Sequence, residues 1–481
     1  MMEKTSVLLY LLVLLGVQSG LASEVFPVDH ELYPYYPSLL TYPEPKAEFN
    51  SPDVCAECHS KQYEEWTASI HALAFVDPVY QGELNKAVKA AGHEISRQCE
   101  GCHTAAGVVT GEIKGPGLTG LSDMAMAGVS CDVCHSVSGT THWQTPSHEP
   151  ENGSLVLTPG TIRDGEEVLL KHGPNSATDL CGMGFHECVE SDLHLQSDLC
   201  AGCHQVYHYE KHFPIEATYL EWKHGPYSQN NIHCQDCHMV DIETFKRSAD
   251  RLIRPDKSEY HHYFNGANYL LYYLASQSYK KAGDEAGAAN AMQKYEMAVA
   301  RLQAAADLEL EPIYFDKQLQ EIRVRVKNLR AGHNLPTSLT NIRQMWLEVT
   351  ASDTSGKVVM SSGMIDGKGH LEPNTRIFNS DGMGDDFHFA VDPWVITAFS
   401  KHDTIPPKGH KDVYYGLGST QGDVTISVKL RYRQADQKIA EKLLAAVPED
   451  MDLNEIYGLT EVPELPVVDM VAKEATFKAK Q

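Results

Sequence analysis

Regular alternation of apolar and polar residues is confined to the last third of the chain. Glu321–Asn328, Gln344–Ala351, Lys357–Ser361, Lys411–Gly416 and Asp423–Arg431 are short runs of alternating or β-branched residues separated by turn formers. A period of two interrupted by turns predicts strands that bury one face, here a small antiparallel β-sandwich of immunoglobulin-like type. One late helix is predicted over Ala435–Ala446. Upstream, from Tyr263 to about Leu308, Ala, Leu, Tyr, Gln and Lys dominate and proline is absent. Ala267–Lys281 and Glu285–Ala306 read there as two consecutive helices broken near Gly283.

Residues 51–240 show little periodicity; Gly and Pro punctuate loops of uneven length, with no fixed repeat. Residues 23–50 are rich in Pro and Tyr (Tyr33-Pro34-Tyr35-Tyr36-Pro37) and read as an extended arm. The first 22 residues place Lys4 before an apolar run, Val7–Val17, and end on Gly20-Leu21-Ala22. That is the plan of a secretory signal cleaved after Ala22. An uncleaved anchor is the alternative, but the run falls short of the roughly 20 apolar residues a spanning helix needs. No later segment is long and apolar enough to cross a membrane. The expected division is a signal over 1–22, an arm over 23–50, a loop-rich domain over 51–262, a helical pair over 263–309 and a β-sandwich over 310–481. The 481 residues thus form a multidomain α+β chain.

The cysteines identify what fills the loop-rich part. Ten of twelve fall in one pattern: Cys55-Ala-Glu-Cys58-His59, Cys99-Glu-Gly-Cys102-His103, Cys131-Asp-Val-Cys134-His135, Cys200-Ala-Gly-Cys203-His204 and Cys234-Gln-Asp-Cys237-His238. Two thiols three residues apart reach the two vinyl groups on one edge of a haem, and the adjacent His is set beneath the iron as its proximal ligand. A redox dithiol or half of a zinc site needs no such His, and here it is present five times. Five covalently bound haems are therefore expected, and their bulk accounts for the weak periodicity of 51–240. Cys181 and Cys188 remain. In an oxidising compartment two nearby spare thiols pair; two free thiols are the alternative.

A proximal His leaves the other face of each iron open, and a second His closes it in a site built for electron transfer. Residues 23–305 hold 19 His, of which five are proximal. The candidates for distal ligands are His71, in a helical stretch after the first motif, His142, after the third, His186 and His194, before the fourth, and His262 (or its neighbour His261), just before the helical pair. His93, His172, His208, His212, His224 and His233 are reserves. His333 lies in a Gly-His-Asn-Leu-Pro turn from which a loop imidazole can reach a haem. The five His beyond residue 310 are too scattered to suggest a separate metal site.

The chain resembles the multihaem cytochrome c family that includes the tetrahaem partner of hydroxylamine oxidoreductase. The likeness is carried by Gly128-Val-Ser-Cys131-Asp-Val-Cys134-His135, Ser197-Asp-Leu-Cys200-Ala-Gly-Cys203-His204 and Tyr219-Leu-Glu-Trp222 followed by Cys234-Gln-Asp-Cys237-His238-Met239. Val326–Thr337 resembles the opening of the β domain that follows the haems in a subset of relatives. The resemblance implies electron transfer through closely stacked, mostly bis-His haems. It also implies redox partners such as a membrane quinol oxidase module or a terminal reductase, and in some relatives self-assembly into extracellular filaments through haem–haem contacts. Five motifs exceed the family's four, and the Cys181–Cys188 insertion is foreign to it.

Two functions stand against each other: an exported carrier, periplasmic or extracellular, with every iron capped, or an oxidoreductase acting on a small nitrogen or sulfur compound at one five-coordinate haem. No C-x-x-C-Lys occurs, which counts against the nitrite-reducing relatives that use Lys as proximal ligand. The formal charge of −25, from 65 acidic and 40 basic residues, steers basic partners and repels nucleic acid and anionic lipid. Five motifs predict five haems per chain by haemochrome absorbance; a smaller number means that a motif stays unloaded.

Overall fold

The structure, a computed structural model, describes residues 40–44, 47–175, 181–418 and 422–479. The expected signal over 1–22 and most of the arm lie outside the described residues. What is described of the arm packs against the loop-rich part. Thr41 donates its N–H to the Leu155 carbonyl and accepts from Leu157, and Leu40 is buried beside Phe75, Val137 and Leu157.

Residues 51–262 are a succession of short helices and small two- and three-stranded sheets. Four of the five motifs end on helices, Ser96–His103, Cys131–His135, Ser197–His204 and Gln235–His238, while Pro52–Ala56 carries Cys55. One helical turn suits the motif, because positions three and four apart share a face. These helices are too short to persist alone, so tertiary contacts fix them. At the third motif Ser130 caps the helix by accepting the Val133 N–H at 3.2 Å, and the buried Asp132 accepts the Asn50 N–H at 2.6 Å.

The helical pair comprises α1 (Tyr269–Lys281) and α2 (Glu285–Ala305). The break falls at Gly283, whose φ of +78° suits glycine, and Asp284 then caps α2 by accepting the Gly287 N–H at 2.8 Å. Seven long strands follow: β1 (Ala306–Phe315), β2 (Gln318–Asn328), β3 (Gln344–Asp353), β4 (Val358–Ser362), β5 (His410–Gly416), β6 (Val424–Arg433) and β7 (Val468–Phe477). They form two antiparallel sheets in the orders β4-β3-β6-β7 and β5-β2-β1. Alternate residues face inward: Ile322, Val324 and Val326 from one sheet, Leu347, Val349, Val428 and Leu430 from the other. Tyr269, Tyr272, Ala298 and Leu302 join the same core, so the helical pair closes one side of the sandwich.

Two strands of the sandwich fall outside the alternating runs read in sequence. β1 and β7 are edge strands, half exposed along their length, so their polar content and Pro312 are tolerated. A small sheet over Ser380–Met383, Phe389–Ala390 and Ala398–His402 was also not expected; its strands are too short to carry a period. The late helix runs Gln437–Leu444 and lies on the helix Pro78–Ala91. Asn85 donates to the Ala446 carbonyl at 2.8 Å, and Asp450 accepts the N–H groups of Leu118 and Thr119 at 2.7 Å. No helix among the described residues is long and apolar enough to cross a membrane. Leu347 is fully buried in the sandwich, and Leu347→Ala is expected to cost about 2–5 kcal/mol in denaturant unfolding followed by circular dichroism.

Candidate haem-ligand sites

A histidine that ligates metal through Nε2 holds its proton on Nδ1, where a neighbouring acceptor fixes the ring. Four motif histidines have that acceptor. His103 Nδ1 meets the Ala74 carbonyl at 2.7 Å, His135 Nδ1 the His172 carbonyl at 2.7 Å and His238 Nδ1 the Asn265 carbonyl at 2.9 Å. His204 Nδ1 meets the Glu216 carboxylate at 3.3 Å. Burial lowers His135 to about 4 and His238 to about 3, which keeps both imidazoles in the neutral form that binds metal. At His204 burial acts in the same direction, but the Glu216 carboxylate overrides it and raises the ring to about 9.

Across from four of the motif rings stands a second histidine. Ring centres are 6.4 Å apart for His59 and His186, 6.3 Å for His204 and His71, 6.3 Å for His135 and His262, and 6.2 Å for His238 and His333. Two imidazoles on opposite faces of one metal, with bonds of about 2.0 Å, have centres roughly 6 Å apart. The spacing suits a shared iron and is too wide for direct packing. His204 also keeps 53% of its side-chain surface uncovered, which leaves room for a flat group against it. The donor set and its spacing therefore fit haem.

Each facing histidine is held differently. Burial lowers His71 to about 3, and its ring lies 4.5 Å from that of Phe264. His262 gives its backbone N–H to the buried Glu65 at 2.8 Å, and His261 Nδ1 meets the same carboxylate at 2.7 Å. Burial alone would raise Glu65, yet the hydrogen bonds from His262 and His261 bring it down to about 2. His333 Nδ1 meets the Asn334 carbonyl at 2.9 Å. Its turn is tied to the helix Thr218–Lys223, between the fourth and fifth motifs, by Glu221, which accepts from Asn334 N at 3.1 Å and Thr337 Oγ1 at 2.6 Å.

Two candidates are not placed for this task. His142 is exposed, bonded to Thr140 Oγ1 and set against Trp143, with no motif ring beside it. His194 lies 5.7 Å from His135, but both its nitrogens are engaged, Nδ1 with Ser191 Oγ at 3.1 Å and Nε2 with the Cys134 carbonyl at 3.0 Å. His103 stands apart. Its ring stacks on Tyr80 at 3.8 Å and 6°, and among the described residues it faces no second histidine.

Thiols of different motifs also meet. Cys55 touches Cys131, Cys102 touches Cys203 and Cys200 touches Cys234; Cys134 lies within electrostatic reach of Cys203. The third motif is thus next to the first and the fourth, and the fourth is next to the second and the fifth.

Residues 54–136, which span the first three motifs, match the family model described as cytochrome c554 and c-prime. A penta-haem cytochrome c552 from Thermochromatium tepidum has the same fold, with a TM-score of 0.58 and 19% identity over 89% of this chain and 99% of that one. The first three motifs thus carry the family match, and the chain as a whole shares the fold of a penta-haem cytochrome. A comparison with curated proteins gives no match.

Of the histidines that face a motif ring, sequence reading placed His333 outside the leading candidates. Its signal was the glycine before it and the proline after it, a turn able to project an imidazole. Glu216 and Glu65 had no signal in sequence, since an acid earns such a role only by what it touches. With haem bound, the Glu216 carboxylate at Nδ1 would make the His204 imidazole a stronger donor to the iron and would favour its oxidised form. Glu216→Gln is expected to raise the midpoint potential of one haem by on the order of 40 mV, the one-electron equivalent of about 1 kcal/mol, in a spectropotentiometric titration. An unchanged set of potentials would contradict this role.

Proposed function

We propose that this chain is an exported electron carrier with five haems, four of them bis-His. The observation that carries the reading is the set of four facing histidine pairs at 6.2–6.4 Å. Cys55 and Cys58, Cys99 and Cys102, Cys131 and Cys134, Cys200 and Cys203, and Cys234 and Cys237 hold the five groups, over His59, His103, His135, His204 and His238. His186, His262, His71 and His333 cap the first, third, fourth and fifth. Bound haem supplies a one-electron iron couple. The chain's own part is to hold the five frames close and in order. The thiol contacts support a line from the first motif through the third to the fourth, with branches to the second and the fifth.

Export rests on the signal-like start and on the chemistry of haem attachment to paired thiols. The excess of acidic residues, a formal charge of −25, fits redox partners with a basic docking face. A quinol-oxidising membrane module and a terminal reductase are the partners the family resemblance favours.

One observation supports a second reading. His103 faces Tyr80 and no second histidine among the described residues, which leaves the second site as the candidate for an open iron. Glu83 and Glu100 lie within electrostatic reach of its Cys99, and burial raises both acids to about 7. Acids of that strength can deliver protons near neutral pH, as reduction of a small nitrogen or sulfur compound requires. Electron paramagnetic resonance of the oxidised holoprotein, with carbon monoxide added after reduction, separates the readings. Four low-spin haems and one that binds carbon monoxide support an open second site. Five low-spin haems inert to carbon monoxide leave the carrier alone, and two or more open haems contradict the assignment of the four pairs.

A further inference from the structure

The Cys181–Cys188 pair is bonded, with Cα atoms 6.0 Å apart, and His186 sits inside the loop it closes. Little else holds that loop. Its apolar side chains point outward, Met183 being 80% and Phe185 56% exposed, so no buried surface anchors it. The Arg163–Glu187 ion pair beside it is exposed on both sides and contributes little. The other histidines that face a motif ring are fixed by burial, by Glu65 or by the turn that Glu221 ties down. His186 has a 3.3 Å contact of Nδ1 with the neighbouring Glu187 carbonyl, and its other contacts come from the loop itself.

Two features of the loop bear directly on the His186 ring. Gly182 has φ +68°, and a Cβ there would lie 2.9–3.1 Å from three atoms of the imidazole. The ring therefore rests on bare backbone, in a conformation other residues adopt only with strain. Cys188 Sγ lies 3.8 Å from His186 Nδ1, so the disulfide borders the ring on another side. Beyond Cys188 the strand Glu187–Glu190 runs parallel to Glu166–Gly173, with Cys188 opposite Lys171 and Val189 opposite His172. The second strand is itself tied to the third motif, since Lys171 pairs with Asp132 and the His172 carbonyl holds His135. The disulfide thus connects a loop with few contacts of its own to a strand that the haem region fixes.

We infer that the Cys181–Cys188 disulfide and Gly182 form a seat that positions His186 against His59, so that capping of the first haem depends on this covalent clamp. The inference rests on His186 being the distal ligand of the first motif. Cys181, Cys188 and Gly182 are positioning residues, acting through His186.

The test is the spin state of the holoprotein. Cys181→Ala/Cys188→Ala is expected to show one more high-spin haem per chain than the wild type, with the remaining haems unchanged. Added imidazole should return that haem to low spin while the other haems keep their spectra, whereas general unfolding would alter them all. Gly182→Ala keeps the disulfide and is expected to give the same extra high-spin haem, so the seat remains testable if the double variant does not accumulate. His186→Ala separates the two layers of the argument. If it gains a high-spin haem while the double variant and Gly182→Ala match the wild type, His186 is the ligand and the clamp is refuted. If His186→Ala itself matches the wild type, the ligand assignment fails and the clamp with it.

Discussion

A C-x-x-C-His turn controls only one face of an iron, and the rest of this structure follows from how the other face is reached. The second histidine must come from elsewhere in the chain and arrive with its ring about 6 Å from the first. His186 reaches His59, His71 reaches His204, His262 reaches His135 and His333 reaches His238. Each pair closes a loop of many residues, and loop closure costs entropy that rises only slowly with length. A long chain can therefore use distant elements for this purpose. The helical pair and β-sandwich do so. They present the turn at His333 to the fifth motif, and through Arg301 and Lys294 they hold the segments around it. Arg301 donates to the Cys237 and Val240 carbonyls, and Lys294 donates to the Glu64 and Thr67 carbonyls next to Glu65.

Electrostatics inside the protein run against its net charge. The chain is acidic overall, whereas the groups nearest the motifs are imidazoles, a buried arginine and a few carboxylates with assigned partners. Glu65 and Glu216 each accept from histidines, so their charge acts on ligand orientation and basicity. Buried charges without partners would be costly, and placing them at ring nitrogens converts that cost into control of the metal. The second site is the exception in both respects. Its histidine faces an aromatic ring, and two acids near its Cys99, Glu83 and Glu100, are pushed toward neutrality.

The parts legible in sequence were those set by local spacing. The five motifs declare themselves within five residues each, and the inner strands β2, β3 and β6 declare themselves by alternation. β1 and β7 did not: the alternation of β1, Ala306-Asp-Leu-Glu-Leu-Glu, continues straight out of a helix, and Met470-Val471-Ala472 breaks the period of β7. The facing histidines were legible only in part. His71, His186 and His262 had local context, yet so did His194, which stands beside His135 with both nitrogens already hydrogen bonded. No sequence feature distinguishes a ring whose nitrogens are engaged from one whose Nε2 is free. His333 had the right turn but lay beyond the last motif, and only the packing of the sandwich on the fourth and fifth motifs brings it to His238.

The central claim is an order of sites, with the fourth at the junction of the third, second and fifth and the first at the end beyond the third. Locating the irons by anomalous scattering at the iron edge in crystals of the holoprotein tests it most directly. The account predicts five irons, with the one over His204 having three near neighbours and the one over His59 having one, that over His135. An iron over His59 lying next to that over His103 or His238, or an iron over His204 with a single neighbour, would contradict it.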